Sequence, residues 1–252
     1  MEIRVGGPKQ AAVPVAITMR TPGHDFELAA GFLKSEGIVG SLEDIESVRY
    51  CDLPENITKD GRADQQYNTV TVRLRHTFDA EQSRRNFITN SSCGICGVTS
   101  IEQITRRCSP LDDGPRVTRS VIVSLPQLLR DVQSIFDRTG GLHAAGLFDA
   151  DGHLMQLRED VGRHNALDKL VGHSLLQNLL PLSTQVLMLS GRVSFEMVQK
   201  AAMAGITVLG AVSAPSSLAV ESARELGMTL AGFIRGETFN IYSHPERIYL
   251  EN

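Results

Sequence analysis

Tryptophan is absent from the 252 residues, and aromatic residues make up only 5%. Few rings are therefore available for stacking bases, which argues against a single-stranded nucleic-acid platform. A basic excess is missing as well. Lys and Arg number 25 against 29 Asp and Glu, a net charge of −4, so the electrostatic footprint of a nucleic-acid binder is lacking. No apolar run approaches the roughly 20 residues of a membrane span. The opening Met1-Glu2-Ile3-Arg4-Val5 has no apolar stretch of the signal-peptide kind. These absences predict a cytoplasmic protein that engages neither nucleic acid nor membrane. Cysteine is scarce at four residues, and in that compartment they are expected as thiols rather than as a disulfide framework. What remains is an ordinary globular composition, 42% hydrophobic and 21% charged. The length suits one large domain or two modest ones.

The chain opens with strand-like runs, Glu2 to Gly6 and Val13 to Met19, before a turn at Thr21-Pro22-Gly23. Asp25 reads as the N-cap of a helix with Phe26, Ala29, Ala30 and Leu33 on one face and Gly37 as its stop. Further strands are expected over Glu46–Cys51 and Asn68–Leu74, the latter alternating Val70, Val72 and Leu74 with polar residues. Residues 1–117 thus read as a smaller α+β N-terminal domain, ending in the Gly/Pro-containing link Pro110 to Pro115. In residues 118–252, Ser124 reads as the cap of a helix carrying Leu125, Leu128, Leu129, Val132, Ile135 and Phe136. A hairpin follows, His143–Phe148 and His153–Leu157 around Asp149-Ala150-Asp151-Gly152. A helix is expected from about Asp160 to Val171, and then strands alternate with helices to Tyr242. This alternation predicts a three-layer α/β domain with a largely parallel sheet.

Four polar clusters stand out. Cys93-Gly94-Ile95-Cys96-Gly97 pairs two thiols, each followed by glycine, ahead of a helix expected over 98–107 whose N-terminus would favour thiolate. A zinc half-site, a dithiol redox pair, a sulfur relay and a structural role all suit the spacing. Zinc would need a second ligand pair, and Cys51 and Cys108 are isolated. A thioredoxin-type pair would need a compact βαβ setting. The second cluster, Arg158 to Lys169, holds seven ionisable side chains at a strand-to-helix junction, where α/β sheets bind ligands. There Asp160 reads as a helix cap, and Arg163 and His164 as groups that address phosphate or a base. A solvated helix face with a His164–Asp168 pair is the plainer alternative. The third, Ser190-Gly191-Arg192-Val193-Ser194, has the makings of an anion cradle at a helix N-terminus, or simply a good cap. The fourth, Gly232 to Tyr242, places Arg235 between two apolar runs and reads as a hairpin or as a nucleotide contact.

Taken together the motifs resemble the FdhD/NarQ family of formate dehydrogenase accessory sulfurtransferases. The resemblance is carried by Glu27 to Leu33 with Ser35-Glu36-Gly37, Cys93-Gly-Ile-Cys96-Gly, and Gly140-Gly-x-His143-x-Ala145. It continues through Glu159 to Lys169, Ser190-Gly-Arg-x-Ser-x-Glu-Met-Val-x-Lys200, and Phe233-x-Arg-Gly to Asn240-Ile-Tyr. It implies a sulfur carrier that takes sulfur from a cysteine desulfurase as a persulfide on Cys93, with Cys96 as helper. The sulfur then passes to a molybdenum bis(molybdopterin guanine dinucleotide) cofactor destined for formate dehydrogenase. The cofactor segment corresponds to Phe233, Ile234, Arg235, Gly236, Glu237 and Thr238; Glu237 departs from the basic or neutral residue expected there. With Arg163, His164 and Arg192, these form the expected cofactor-binding set. A homodimer is compatible with this picture. The family's C-terminal domain is similar in fold to cytidine deaminases. A zinc deaminase, however, needs His-x-Glu and Pro-Cys-x-x-Cys. Here His164-Asn165-Ala166 lacks the glutamate, and the helix after Ser190 has no cysteine, so no structural or catalytic metal is expected. A cofactor chaperone without chemistry, and a Cys-x-x-Cys metal or redox module, stand as the alternatives.

Overall fold

A computed structural model describes residues 1–50, 68–79, 108–111, 113–133, 136 and 139–249. Near the N-terminus, β1 (Glu2–Gly6), β2 (Val13–Ile17), α1 (Asp25–Ser35), β3 (Ile45–Tyr50) and β4 (Thr69–Leu74) form one unit. Its sheet runs β2-β1-β4-β3, with β1 and β4 parallel. The period-2 pattern of β4 works as expected: Val70, Val72 and Leu74 are buried beside Ile3 and Val5, and Ala29, Ala30 and Leu33 of α1 close the core. Asp25 is not the helix cap. His24, at φ 59°, occupies that position without a capping side chain. Asp25 instead lies buried in the first turn, where Arg20 donates to it at 3.0 and 2.8 Å and Tyr50 at 3.2 Å. A guanidinium fork satisfies both carboxylate oxygens, which a cap would have left half used.

The rest of the described chain is α/β. It comprises β5 (Val117–Thr118), α2 (Arg119–Asp131), β6 (His143–Phe148), β7 (Leu154–Asp160), α3 (Arg163–Leu176), β8 (Val186–Leu189), α4 (Phe195–Met203), β9 (Val208–Ala211), α5 (Ser217–Glu225), β10 (Thr229–Arg235), β11 (Thr238–Ser243) and β12 (Ile248–Tyr249). The six-stranded sheet has the order β11-β10-β9-β8-β6-β7. Its central strands β8, β9 and β10 are parallel. The pairings β10–β11, β6–β7 and β6–β8 are antiparallel, so the sheet is mixed rather than largely parallel. The short turns at Asp149–Gly152 and Gly236–Glu237 impose the β6–β7 and β10–β11 pairings, because connections so short join only antiparallel neighbours. Alternate residues of β8 face opposite layers. Leu187 and Leu189 join the core under α3, α4 and α5, while Val186 and Met188 join Ile122, Leu125 and Leu129 of α2. The cap of α2 is Thr118, which accepts from the Val121 amide at 3.2 Å. Ser124 lies within the helix and donates to the Val121 carbonyl. Leu128 and Val132, expected inside, are 39% and 40% exposed, because starting the helix six residues earlier makes Ile122 the head of the buried stripe.

The two sheets are joined through α1 and α3. A Cβ built on Gly31 would fall 1.8 Å from the Asp168 carbonyl oxygen, and one on Gly172 would fall 1.8 Å from that of Glu27. The helices thus touch backbone to backbone, which only glycine allows at the crossing. Gly31→Ala is expected to force them apart and to cost roughly 3 kcal/mol, read as a lower midpoint in urea unfolding. An unchanged midpoint would disprove the tight crossing.

Candidate functional site

The register of the large sheet brings several motifs to one edge. His143, the first residue of β6, is cross-strand to Asp160 at the end of β7, and Ala145 is opposite Leu189 at the end of β8. The amino end of β6 therefore lies with the carboxyl ends of β7, β8, β9 and β10. The loops there are zipped together. The Val193 amide donates to the Ala214 carbonyl at 3.1 Å, that of Ser216 to Val193 at 2.9 Å, and that of Phe233 to Ser213 at 3.2 Å. Ser190 Oγ accepts from the Ala144 amide at 2.8 Å, which ties the third cluster to β6.

Three of the expected residues, Arg163, His164 and Arg192, come together on this rim around His143. A Cβ on Gly191 would sit 3.0 Å from His143 Nδ1, so the imidazole rests on bare backbone. Burial first, then the charges of Arg163 and Arg192, hold the His143 ring below its ordinary value. Neither arginine has a hydrogen bond or ion pair with any other described residue, and Arg163 Nε is buried without a partner. Two unpaired guanidiniums at strand ends are suited to an anion. On the same rim, His164 Nε2 is 3.3 Å from Ser194 Oγ and 4.0 Å from Glu196 Oε2, itself a buried oxygen without a hydrogen bond. Burial, then the charges of Lys200, Arg163 and His143, push the His164 ring down to about 3. It is neutral at pH 7. Because the unfolded chain takes up this proton near 6.5 and the folded chain only near 3, stability is complete above that window and falls as pH drops through it. His164→Gln is expected to flatten this acid limb in thermal melts recorded across the window; a variant with the same limb would contradict the assignment.

The remainder of the second cluster holds the molecule together. Asp160 ends β7, where the pairing extends further than the sequence suggests, and α3 begins after Gly162. Asp160 does not cap the helix with a free carboxylate; it is fully buried and pairs with Lys169 at 2.7 Å. It also accepts from the amides of Thr21 and Gly162 and from Asn165 Nδ2. Arg158 binds Glu27 of α1, with Nη2 to Oε1 at 2.7 Å. Asp168 makes no pair with His164; Lys200 donates to it at 2.8 and 2.9 Å and Ser35 at 2.7 Å. Of the seven ionisable groups, Arg163 and His164 are those that open α3 at the strand-end rim.

In the fourth cluster the six residues divide. Phe233, at φ 52°, and Arg235 are exposed at the rim, and Arg235 Nε donates to the Val212 carbonyl at 3.4 Å. Ile234 is fully buried against Gly210. Gly236 and Glu237 form the turn to β11, where Arg119 donates to the Glu237 carbonyl and Thr238 Oγ1 donates to that of Arg235 at 3.2 Å. Cys93, Cys96 and Cys51 lie outside the described residues. Cys108 is buried, its Sγ 3.9 Å from the Gln199 carbonyl. Sequence reasoning did not select His143 or Glu196 as ligand-facing groups, although both stand inside motifs that it quoted. Among the described residues, no helix is long and apolar enough to cross a membrane.

The sequence model of the FdhD/NarQ family matches residues 9–249. The chain is 50% identical over 252 residues to the sulfur carrier protein FdhD of Mycolicibacterium paratuberculosis, covering 98% of this chain and 89% of that one. It is 51% identical over 255 residues to the protein of the same name from Streptomyces coelicolor, covering 99% and 87%. Among solved structures, a protein of Desulfotalea psychrophila provisionally assigned as a formate dehydrogenase accessory protein superposes with a TM-score of 0.71. That likeness is at 24% identity and covers 99% of this chain and 89% of the other.

Proposed function

Since the chain belongs to the FdhD/NarQ family, we propose that it is a sulfur carrier that serves the maturation of formate dehydrogenase. It receives sulfur as a persulfide on Cys93 and delivers it to a molybdenum bis(molybdopterin guanine dinucleotide) cofactor. The observation that carries the acceptor half is the unpaired couple Arg163 and Arg192 converging on His143 at the strand ends. An acceptor with several phosphates needs such a place, and guanidinium forks match phosphate oxygens in pairs. Phe233 and Arg235, exposed on the same rim, extend it toward the rest of the nucleotide.

The chemistry starts with the Cys93 thiolate attacking the outer sulfur of the desulfurase persulfide. The donor leaves as a thiolate, and Cys93 carries the sulfane sulfur. On delivery, attack of the Cys96 thiolate on the inner Cys93 sulfur releases the outer sulfur to the metal as sulfide. A Cys93–Cys96 disulfide remains, which a thiol reductant resets. Ala166, fully buried in the core, fills the position where a deaminase of similar layout would carry its glutamate, in keeping with a domain that retains that layout for binding alone. The donor half is tested by incubating the protein with a cysteine desulfurase and cysteine, followed by peptide mass spectrometry. One added sulfur is expected on the Cys93 peptide. A peptide of unchanged mass would overturn the carrier reading and leave a cofactor chaperone.

A further inference from the structure

We infer that the outer edge of β3 is a docking site for an extended segment of a partner protein, one in which apolar side chains alternate with Lys or Arg. β3 ends its sheet: in the order β2-β1-β4-β3 its one neighbour among the described residues is β4. The edge turned away from β4 is open, and such an edge is a template for pairing with another chain. A cavity of about 730 Å³ lies along it. Its apolar lining comes from Phe26 of α1, Leu42 in the short turn before β3, Ile45 and Val48 of β3, and Leu176 at the end of α3.

The shape of this cavity suits an extended chain. Glu46 is the extra residue of a bulge, since the register with β4 shifts between Ile45 and Ser47. From Ser47 to Tyr50 the register is regular. Successive side chains of a regular strand point to opposite faces, yet Ser47 and Val48 both line the cavity. The cavity therefore meets the rim of the sheet, where the unpaired backbone groups of β3 lie, and not one face alone. Ile45 to Val48 span about 10 Å of strand, which makes the space a trough. A peptide laid in it forms main-chain hydrogen bonds to β3 and sends alternate side chains to the apolar floor.

Charge at the mouth specifies the rest of the occupant. Glu43 and Glu46 line the trough, both exposed, and neither carboxylate has a hydrogen bond or ion pair with another described residue. Arg75 is the one cationic lining residue. The carboxyl end of α3, which reaches the trough at Leu176, adds the negative end of a helix dipole. The balance is acidic, so basic side chains beside the apolar ones complement it. The trough is also separate from the strand-end site. Arg163 and His164 open α3 and Leu176 closes it, about 20 Å away along the 14-residue helix. A partner held at β3 leaves the strand ends open.

The probe is an acetylated and amidated octapeptide in which Lys alternates with Val and Leu, titrated into the full chain and followed by amide NMR. Saturable shifts centred on Ser47–Tyr50 are expected. Two N-methylated forms of the peptide test main-chain pairing, because the amides of a strand point alternately to its two sides. Methyl groups on one alternate set should weaken binding roughly tenfold or more, and those on the other set should leave it unchanged. Equal effects of the two sets would overturn the inference, as would a peptide that does not bind. Glu43→Lys combined with Glu46→Lys changes two exposed positions and leaves the fold intact. That variant should reverse the preference, binding the same peptide with Glu in place of Lys more tightly than the Lys form. A variant that still prefers the Lys peptide refutes the basic occupant.

Discussion

Cys93→Ala protein is expected to load no sulfur and to leave formate dehydrogenase inactive in cells that depend on it. On the proposed reading, substitution removes the sulfur that would carry the persulfide, so activity should fall to the background of a strain without the protein. The thiolate is both nucleophile and metal ligand in cysteine chemistry, and alanine abolishes it. Two companion variants locate the effect. Cys108 is only 4% exposed and its sulfur rests against the Gln199 carbonyl. Cys108→Ala should therefore load sulfur normally, at a stability cost of about 1 kcal/mol for the lost packing. Cys96→Ala should load sulfur yet deliver it more slowly, as resolution by the second thiol is lost. The measurements are persulfide mass spectrometry and formate oxidation in the complemented strain. Sulfur on Cys93→Ala protein together with normal formate oxidation would move the carrier role to another residue.

The second large effect is on stability. Asp168→Ala is expected to lower unfolding free energy by about 3–5 kcal/mol, the range for removing one partner of a buried ion pair. Asp168 is 2% exposed and Lys200 7%, so the ammonium left behind would have no water to turn to. The loss spreads beyond the pair, because Asp168 also receives Ser35 from α1 and Lys200 lies 5.7 Å from the Phe32 ring. Asp168→Leu combined with Lys200→Met should recover most of it, since an apolar pair of similar volume strands no charge. Urea unfolding of the three proteins reads this directly. A single variant within about 1 kcal/mol of wild type would mean that the pair contributes no more than a surface ion pair.

That ion pair also shows where sequence reasoning stopped. The density of charge from Arg158 to Lys169 is visible in the sequence and marks a strand-to-helix junction, but density does not say which charges face a ligand. Asp168 is satisfied by Ser35, which is 133 residues away in the chain, and Arg158 by Glu27, which is 131 away. Pairings at such separation leave no local signature, so buried cross-links and ligand-facing groups look alike in one line of text. The same limit hid His143. Its motif was legible, but its place beside Arg163 and Arg192 follows from β6 running antiparallel to β7 and β8. Misplaced caps have a simpler origin. Asp25 and Ser124 are good capping residues by chemistry, and each found a stronger partner or a later place within its helix.

By itself, then, the sequence determined the α/β class, the positions of nearly every strand and helix in the described chain, and membership of a sulfur-carrier family. Those properties are written in period-2 and period-3.6 patterns, in turn chemistry and in contiguous motifs, all of which involve near neighbours. Tertiary structure alone decided the mixed strand order and the close glycine crossing of α1 and α3. It also decided the division of one charged cluster into buried braces and a strand-end pair of arginines. The physical reason is that a charge acquires its role from what lies within a few ångströms, and for Arg158 and Asp168 those neighbours are more than a hundred residues away in the sequence.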